Sequence, residues 1–209
     1  MNEKDYTYYG AYAPILEMTK NNVLERIKGM LAEISNDDMH TPAEHILSRI
    51  KSAESMQKKL IRKEQDTDVM TALHVTSDSI GIRVVTHFIG DVYTILDYIK
   101  AEQSWKIVRI KDYISNPKPN GYRSLHVILE IPLPGHAANH QLESLLVEVQ
   151  LRTIAMDCWA ALEHQMKYKQ DLPNAELIVE ELRRCADEMA STDLSMQTIR
   201  DMIRKETQA

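Results

Sequence analysis

The segment NPKPNGYRSLHVILEIP places an aromatic ring among basic side chains at the point where a loop becomes an apolar strand. A hairpin turn requires none of these side chains. A ring flanked by cations can stack a nucleobase while the cations hold its phosphates, so this loop and the strand before it form a candidate nucleotide site. The candidate residues are Lys111, Lys118, Asn120, Tyr122, Arg123 and His126.

A stripe of basic residues precedes this segment in the chain. Thr41-Pro42 followed by Glu44 resembles a helix N-cap with proline in the first turn, so we predict a helix from residue 42 to about 64. Side chains spaced by four, four and three positions on that helix share one face about 16 Å long, which matches the reach of a polyphosphate. The residues of this face are Lys51, Ser55, Lys59 and Arg62, and Arg49 lies just before them.

The same charges would also suit a solvated helix surface. Such surfaces commonly pair their cations with acids four positions away, and only Glu54 and Glu64 could serve here. The shortage of acidic partners favours the phosphate-binding interpretation, but both interpretations stay open on the sequence.

Two acidic residues lie at strand positions where a metal ligand could be held. Asp78 immediately precedes an apolar, β-branched run that is typical of a buried strand. Glu148, Gln150 and Arg152 alternate with apolar residues and therefore share one face of a second strand. Each feature also has a simpler explanation, since Asp78 could be a turn or cap residue and the second strand could merely expose a polar face.

The composition of the chain, and its lack of the known glycine-containing motifs, argue against several classes of protein. A net charge of −6 argues against a general duplex-binding protein, and no Walker A loop, G-x-G-x-x-G motif or G-x-S-x-G motif is present. There is no apolar run of about 20 residues and no signal-peptide pattern. The two cysteines, Cys158 and Cys185, have no motif spacing and are expected to be reduced. We therefore expect a cytoplasmic protein that binds phosphates through side chains.

The periodicity predicts an α+β fold in which helices flank one mixed, mostly antiparallel β-sheet. The expected helices span 14–35, 42–64, 91–101 and 153–169, with a possible short helix at 69–77, and the expected strands span 80–88, 105–114, 122–131 and 143–152.

The C-terminal third carries a heptad-like apolar seam. Its residues are spaced alternately by four and three positions, which suits packing either on the core or on a partner helix. The seam consists of Ile178, Leu182, Cys185, Met189, Thr192, Met196, Ile199 and Ile203.

Taken together, these motifs resemble the synthetase domain of the RelA/SpoT family. The similarity is carried by SRIKSAES, KKLIRK, DSIGIRVV, KDYI, KPNGYRSLH and VEVQLRTIAMDCWAALEHQMKYK, in the order and spacing of that family, over residues 40–170. A chain of this length with short helical ends looks like a small alarmone synthetase, and its motifs lean toward the RelP type over the RelQ type. The resemblance implies one nucleotidyltransferase-like domain over 1–209, with the ends 14–35 and 175–204 forming a homotetramer.

The resemblance also implies an activity and residue roles. The family transfers the β,γ-pyrophosphate of ATP to the 3′-hydroxyl of GDP or GTP with Mg²⁺, which yields (p)ppGpp and AMP. The implied roles are ATP binding by Arg49, Lys51, Ser55, Lys59, Arg62 and Arg83, acceptor binding by Lys111, Lys118, Tyr122, Arg123, His126, Gln150 and Asp157, and Mg²⁺ binding and catalysis by Asp78 and Glu148.

Three departures and absences qualify this resemblance. Asp78-Ser79-Ile80-Gly81 replaces the family's Asp-Ile-Ala-Gly but keeps its aspartate and glycine. Asp157 stands where some relatives place asparagine near the guanine, which puts guanine selectivity in doubt. The chain has no His-Asp dipeptide and no room for the hydrolase domain of longer relatives, so synthesis alone is expected.

A different function class would use the same side chains. A non-catalytic regulator could bind guanine nucleotides or single-stranded RNA in this basic, aromatic groove. The acidic net charge argues against RNA as the main ligand, and the retained Asp78 and Glu148 argue against a loss of catalysis.

Overall fold

The computed structural model describes residues 1–38, 41–135, 142–167 and 175–207. The helices are α1 (Glu3–Tyr9), a short 3₁₀ turn (Gly10–Tyr12), α2 (Ala13–Asp38), α3 (Ala53–Arg62), α4 (Val69–Val75), α5 (Ile89–Ala101), α6 (Ile154–Lys167) and α7 (Ala175–Thr207). The strands are β1 (Ala43–Ile50), β2 (Ile80–Thr86), β3 (Lys106–Asp112), β4 (Leu125–Pro132) and β5 (Ser144–Thr153).

The five strands form one mixed sheet in the order β1-β2-β5-β4-β3. β2 and β5 pair in parallel, whereas β1–β2, β5–β4 and β4–β3 pair antiparallel. This confirms the predicted α+β class with a mixed, mostly antiparallel sheet.

One face of the sheet packs on helices α2 and α5 to form the main core. On β5, Val147, Val149 and Leu151 are fully buried among the apolar side chains of these helices. Because successive strand residues point to opposite faces, Glu148, Gln150 and Arg152 lie on the other face. The sheet therefore presents its polar β5 residues on the face away from the main core.

The predicted helix 42–64 is wrong over its first half. Residues Ala43–Ile50 form edge strand β1, paired antiparallel with β2, and Ser52 then caps α3 by accepting a hydrogen bond from the Ser55 backbone N–H. An edge strand can carry many polar residues, so the mixture of polar and apolar residues in AEHILSRI is easily taken for that of an amphipathic helix. Pro42 lies just before the strand, a position where its missing N–H is tolerated.

The other predicted elements are confirmed over the described residues, with boundaries displaced by a few positions; residues 168–169 of the predicted helix 153–169 lie outside that part of the chain. The short helix suspected at 69–77 is α4, and the four predicted strands are β2 to β5. Helix α1 was not predicted. Among the described residues, no helix is both long enough and apolar enough to cross a membrane.

The two terminal helices differ in how they use their apolar residues. Helix α2 buries Val23, Ile27 and Ile34 in the main core of the same chain. The first half of the α7 seam, represented by Leu182, packs against Trp159 of α6.

The second half of the α7 seam faces outward. Met196 is 54% exposed, Ile199 52% and Ile203 57%. Assembly through the chain ends therefore stays a prediction, and this half of α7 is the part of the seam available for it.

A buried carboxylate near the start of α6 provides a test of the α6–α7 packing. Asp193 of α7 accepts a hydrogen bond from the Thr153 hydroxyl, and burial raises the pKa of Asp193 although that hydrogen bond lowers it. A raised folded-state pKa means that this carboxyl favours folding below its unfolded pKa, and that this contribution is lost as pH rises through the folded pKa.

We therefore expect Asp193→Asn to stabilise the protein at neutral pH, because an amide oxygen can still accept from Thr153 without burying a charge. Its melting temperature should exceed that of the wild type by an amount that grows as pH rises above about 4, the ordinary pKa of aspartate. Glu188→Gln, an exposed change on the same helix, serves as the control. A stabilisation by Asp193→Asn that is the same at pH 3 and pH 8 would contradict this assignment.

Candidate active site

A row of polar side chains crosses the sheet on the face away from the main core. Arg83 on β2 pairs with Gln150 on β5, which pairs with His126 on β4, which in turn pairs with Lys111 on β3. Directly paired residues place their side chains on the same face of a sheet. Four predicted site residues from four strands are thus brought into line.

The next row begins the pocket. Gly81 of β2 pairs with Arg49 on one side and with Glu148 on the other. With no side chain at Gly81, the space between the arginine and the carboxylate is open, and a pocket there is also lined by Asp78 and Gln150. Arg49 thus reaches the site from a strand, not from the predicted helix face.

Asp78 is held by two lysines of the predicted phosphate-binding stripe. Lys51 Nζ lies 2.9 Å and Lys59 Nζ 2.6 Å from its carboxylate oxygens. Burial acts to raise the pKa of Asp78, but hydrogen bonds from Lys59 and Lys51 outweigh it and hold the pKa below its usual value. The carboxylate is therefore ionised at neutral pH and is a hard oxygen donor beside two cations.

Glu148 is the second acidic group of the pocket. His126 Nδ1 lies 3.1 Å from one of its oxygens, and Gln150 donates to the other at 2.8 Å. Burial acts to raise the pKa of Glu148, but the hydrogen bond and the charge interaction with His126, together with Gln150, hold it below its usual value. This carboxylate is also ionised at neutral pH.

A chain of hydrogen bonds connects Glu148 to the predicted aromatic ring. Arg152 Nη2 donates to the Tyr122 hydroxyl at 2.6 Å, and that hydroxyl lies 2.9 Å from His126 Nε2. Arginine can only donate and an ionised carboxylate can only accept. Arg152 therefore donates to the hydroxyl and Glu148 accepts from His126, so the imidazole bridges the tyrosine and the carboxylate.

The Tyr122 ring has the cationic surroundings that the sequence predicted. Lys118 Nζ lies 4.9 Å from the ring centroid and Arg152 Cζ lies 5.1 Å from it. Tyr113 packs edge-on at 6.0 Å between centroids, and Lys118 also lies over its ring. The loop thus builds a compact aromatic and cationic cluster.

Arg152 was singled out from the sequence with Glu148 and Gln150 on one face of β5, but no role was assigned to it. Tyr113 was not singled out. Tyr113 follows Lys111 by two positions at the end of β3, which is a weaker signal of the same kind.

Asp157 at the start of α6 joins two guanidinium groups. Arg152 Nη1 donates to it at 3.0 Å, and Arg83 Nη1 lies 3.1 Å away. Burial and the nearby charge of Arg152 lower the pKa of Arg83, an effect that the Asp157 carboxylate opposes. Asp157 thus orders the cations between the two halves of the site, and its predicted contact with guanine remains a prediction.

Three predicted residues lie apart from the Tyr122–Glu148 cluster. Arg62 is exposed at the end of α3. Ser55 lies in the first turn of α3, where its hydroxyl accepts from that of Ser52 at 2.9 Å. Arg123 donates to the backbone of Ile114 and to Asp187 of α7.

The described part of the chain contains no cluster of three or more histidine, cysteine, aspartate or glutamate side chains that could hold a metal. Asp78 and Glu148 nevertheless line the same pocket and interact electrostatically. Mg²⁺ is commonly bound by one or two carboxylates together with substrate phosphates. The donor set therefore fits Mg²⁺ that arrives with a nucleotide.

A sheet face that combines two ionised carboxylates, several cations and an aromatic ring defines an α+β protein suited to nucleotides. The comparisons agree with this class. Residues 48–172 match the family described as the region found in RelA / SpoT proteins. The chain belongs to the RelA/SpoT family.

Two curated relatives from Bacillus subtilis (strain 168) cover most of the chain. GTP pyrophosphokinase YwaC is 40% identical over 148 residues, 71% of this chain and 69% of the relative. GTP pyrophosphokinase YjbM is 29% identical over 180 residues, 86% of this chain and 82% of the relative.

Solved structures of small alarmone synthetases share the fold. Small alarmone synthetase 1 from Bacillus subtilis, bound to its product pppGpp, aligns with a TM-score of 0.83 at 26% identity, covering 96% of this chain and all of that one. Small alarmone synthetase 2 from the same organism aligns with a TM-score of 0.72 at 37% identity, covering 88% of this chain and 96% of that one.

Proposed function

We propose that this protein is a (p)ppGpp synthetase that transfers the β,γ-pyrophosphate of ATP to the 3′-hydroxyl of GDP or GTP and releases AMP. The observation that carries the proposal is the pocket in which Asp78 and Glu148 lie between a cationic region and the Tyr122 ring. Synthetase 1 from Bacillus subtilis has been crystallised with its product pppGpp and, separately, with AMPCPP, which supports the binding of guanine and adenine nucleotides by this fold.

The proposed ATP side lies at β1, β2 and α3. Arg49 and Arg83 line both the pocket of Asp78 and Glu148 and a neighbouring pocket, and their planar guanidinium groups would hold adenine. Lys51 and Lys59, which meet at Asp78, would bind the ATP phosphates together with Ser55 in the first turn of α3 and Arg62 at its end. These cations reduce the repulsion between two polyanionic substrates.

The proposed acceptor side lies on β3, β4 and the loop that joins them. Tyr122 would stack on guanine, with Gln150 and Asp157 near the base. Lys118 lies over the ring, His126 Nε2 lies 2.9 Å from its hydroxyl, and Lys111 pairs with His126 on the neighbouring strand. These three residues would bind the acceptor phosphates.

Glu148 is the proposed general base for the 3′-hydroxyl. It is ionised at neutral pH and is oriented by His126 and Gln150, as a base that accepts a proton during attack must be. Asp78 and Glu148 would hold Mg²⁺, which neutralises phosphate charge in transfers of this type. When a nucleotide binds, Lys51 and Lys59 would exchange their contacts with Asp78 for contacts with phosphate.

We further propose that the protein acts in the cytoplasm, performs synthesis without hydrolysis and assembles as a homotetramer. The exposed apolar half of α7, represented by Met196, Ile199 and Ile203, is the surface that supports self-association.

The direct test separates nucleotides by anion exchange after incubation of the pure protein with ATP, GDP and Mg²⁺. We expect ppGpp and AMP in equal amounts, and no product when EDTA removes the metal. If ATP with GDP or with GTP is unchanged by folded protein, a non-catalytic regulator gains support. RNA binding with a steep salt dependence would then identify a nucleic-acid ligand.

A further inference from the structure

Arg123 follows Tyr122 directly in the chain, and its guanidinium group contacts the loop backbone and helix α7. Its Nη1 donates to the Ile114 backbone oxygen at 3.2 Å, and its Nη2 donates to the Asp187 carboxylate on α7 at 3.0 Å. The guanidinium group therefore connects both ends of the segment 114–123, here termed the acceptor loop, to the C-terminal helix. Both terminal nitrogens of this guanidinium group are thus engaged, one by the loop backbone and one by α7.

The acceptor loop also lies directly on α7 through its backbone. Gly121 has a φ of +87°, and a Cβ placed on it would lie 2.5 Å from Ala186 Cβ and 3.2 Å from Arg183 Cα. The absence of a side chain at position 121 thus permits both the turn and the close approach of the helix. Loop and helix are in van der Waals contact next to the Arg123–Asp187 ion pair.

Helix α7 also holds Trp159, the residue that packs against the proposed base-stacking ring of Tyr122. Trp159 of α6 donates its Nε1–H to the Leu182 backbone oxygen of α7 at 2.8 Å, and its ring packs edge-on against Tyr122 at 6.3 Å between centroids. The acceptor loop and Trp159, which packs against the Tyr122 ring, therefore both contact residues 182–187 of α7.

We propose that Arg123 and Asp187 are positioning residues for the guanine-nucleotide acceptor, and that Arg123 acts by fastening the acceptor loop to α7. This inference rests on the proposed function, since it concerns the acceptor of that reaction. Fastening the loop reduces the conformational freedom that must be lost when guanine stacks on Tyr122, so it should lower the KM for the acceptor. The KM for ATP should not depend on it.

Steady-state synthesis by the intact protein tests this proposal with Asp187→Asn, Arg123→Gln and the double variant. Because a partly exposed ion pair is worth little, we expect each single variant to raise the KM for GDP by about two- to five-fold with an unchanged KM for ATP. The double variant should resemble Arg123→Gln alone, since that change already removes the contact with Asp187. Glu188→Gln, the neighbouring acid on α7, pairs with Arg184 of the same helix and should leave both KM values unchanged.

Two further measurements separate fastening from phosphate binding. Exchanging the pair, with Arg123→Glu and Asp187→Arg combined, should recover part of the GDP affinity that Arg123→Glu alone loses. Hydrogen exchange at the backbone amides of 114–123 should be faster in Asp187→Asn than in the wild type.

The outcomes distinguish this inference from the proposed function. A wild-type protein that makes no (p)ppGpp refutes the proposed function. An active wild type with a silent Asp187→Asn, together with an Arg123→Gln that weakens GTP more than GDP, overturns the positioning role and assigns Arg123 to the phosphates.

Discussion

Glu148→Gln should reduce (p)ppGpp synthesis by about 100- to 10,000-fold, the usual contribution of a positioned general base. The side chain keeps its shape, but an amide cannot take the proton of the 3′-hydroxyl and is a weaker ligand for Mg²⁺. Gln150 Nε2 donates to one Glu148 oxygen, and the Gln150 oxygen already accepts from Arg152. An amide NH₂ group at position 148 facing Gln150 would therefore meet a donor and disturb this arrangement. The measurement is the initial rate of AMP and ppGpp formation at saturating ATP and GDP.

Nucleotide binding must be measured on the same variant to make the result interpretable. We expect the dissociation constant for GDP to change little, since Tyr122 and the surrounding cations are untouched. Glu130→Gln is the matched control, because Glu130 lies on the adjacent strand, pairs with Lys106 and has the same charge to lose. Near-normal synthesis by Glu148→Gln would show that both the base and the metal assignment are wrong.

The sequence was sufficient for the central sheet because each of β2 to β5 carries a strong local pattern. Strand β5 is the clearest example, as Val147, Val149 and Leu151 alternate with polar residues and only the apolar set is buried. Edge strand β1 could not be found in the same way. Its exposed side resembles the polar face of a helix. It is a strand because it pairs with β2, and that pairing cannot be predicted from the local sequence of β1.

The site was predicted only in part, because contacts between side chains far apart in the chain cannot be seen in the sequence. Lys51 and Lys59 were grouped by helical spacing, whereas the structure groups them because both reach Asp78. Lys51 lies before α3, so the two meet without sharing a helix. Arg123 was grouped with the phosphate-binding residues by its neighbours in the chain. Its partner Asp187 lies 64 positions away on a helix whose packing the sequence left open between core and partner.

The second large effect is expected on acceptor binding, when the aromatic ring of Tyr122 is removed. Stacking of a base on an aromatic side chain is worth about 1–3 kcal/mol, so Tyr122→Ala should raise the KM for GDP by roughly 5- to 150-fold. The ring also carries the hydroxyl that links Arg152 to His126. Loss of the whole side chain therefore removes both a stacking surface and one connection of the chain that orients Glu148.

Tyr122→Phe separates these two contributions. Phenylalanine keeps the stacking surface, so the KM for GDP should stay close to that of the wild type. It removes the hydroxyl that accepts from Arg152 and lies 2.9 Å from His126 Nε2. We expect kcat to fall, because His126 loses the partner on Nε2 that fixes its ring against Glu148. Measuring KM for GDP and for ATP with kcat in both variants completes the test. An equal rise in both KM values in Tyr122→Ala, or a Tyr122→Phe variant as impaired in GDP binding as Tyr122→Ala, would show that the ring does not stack on the acceptor base.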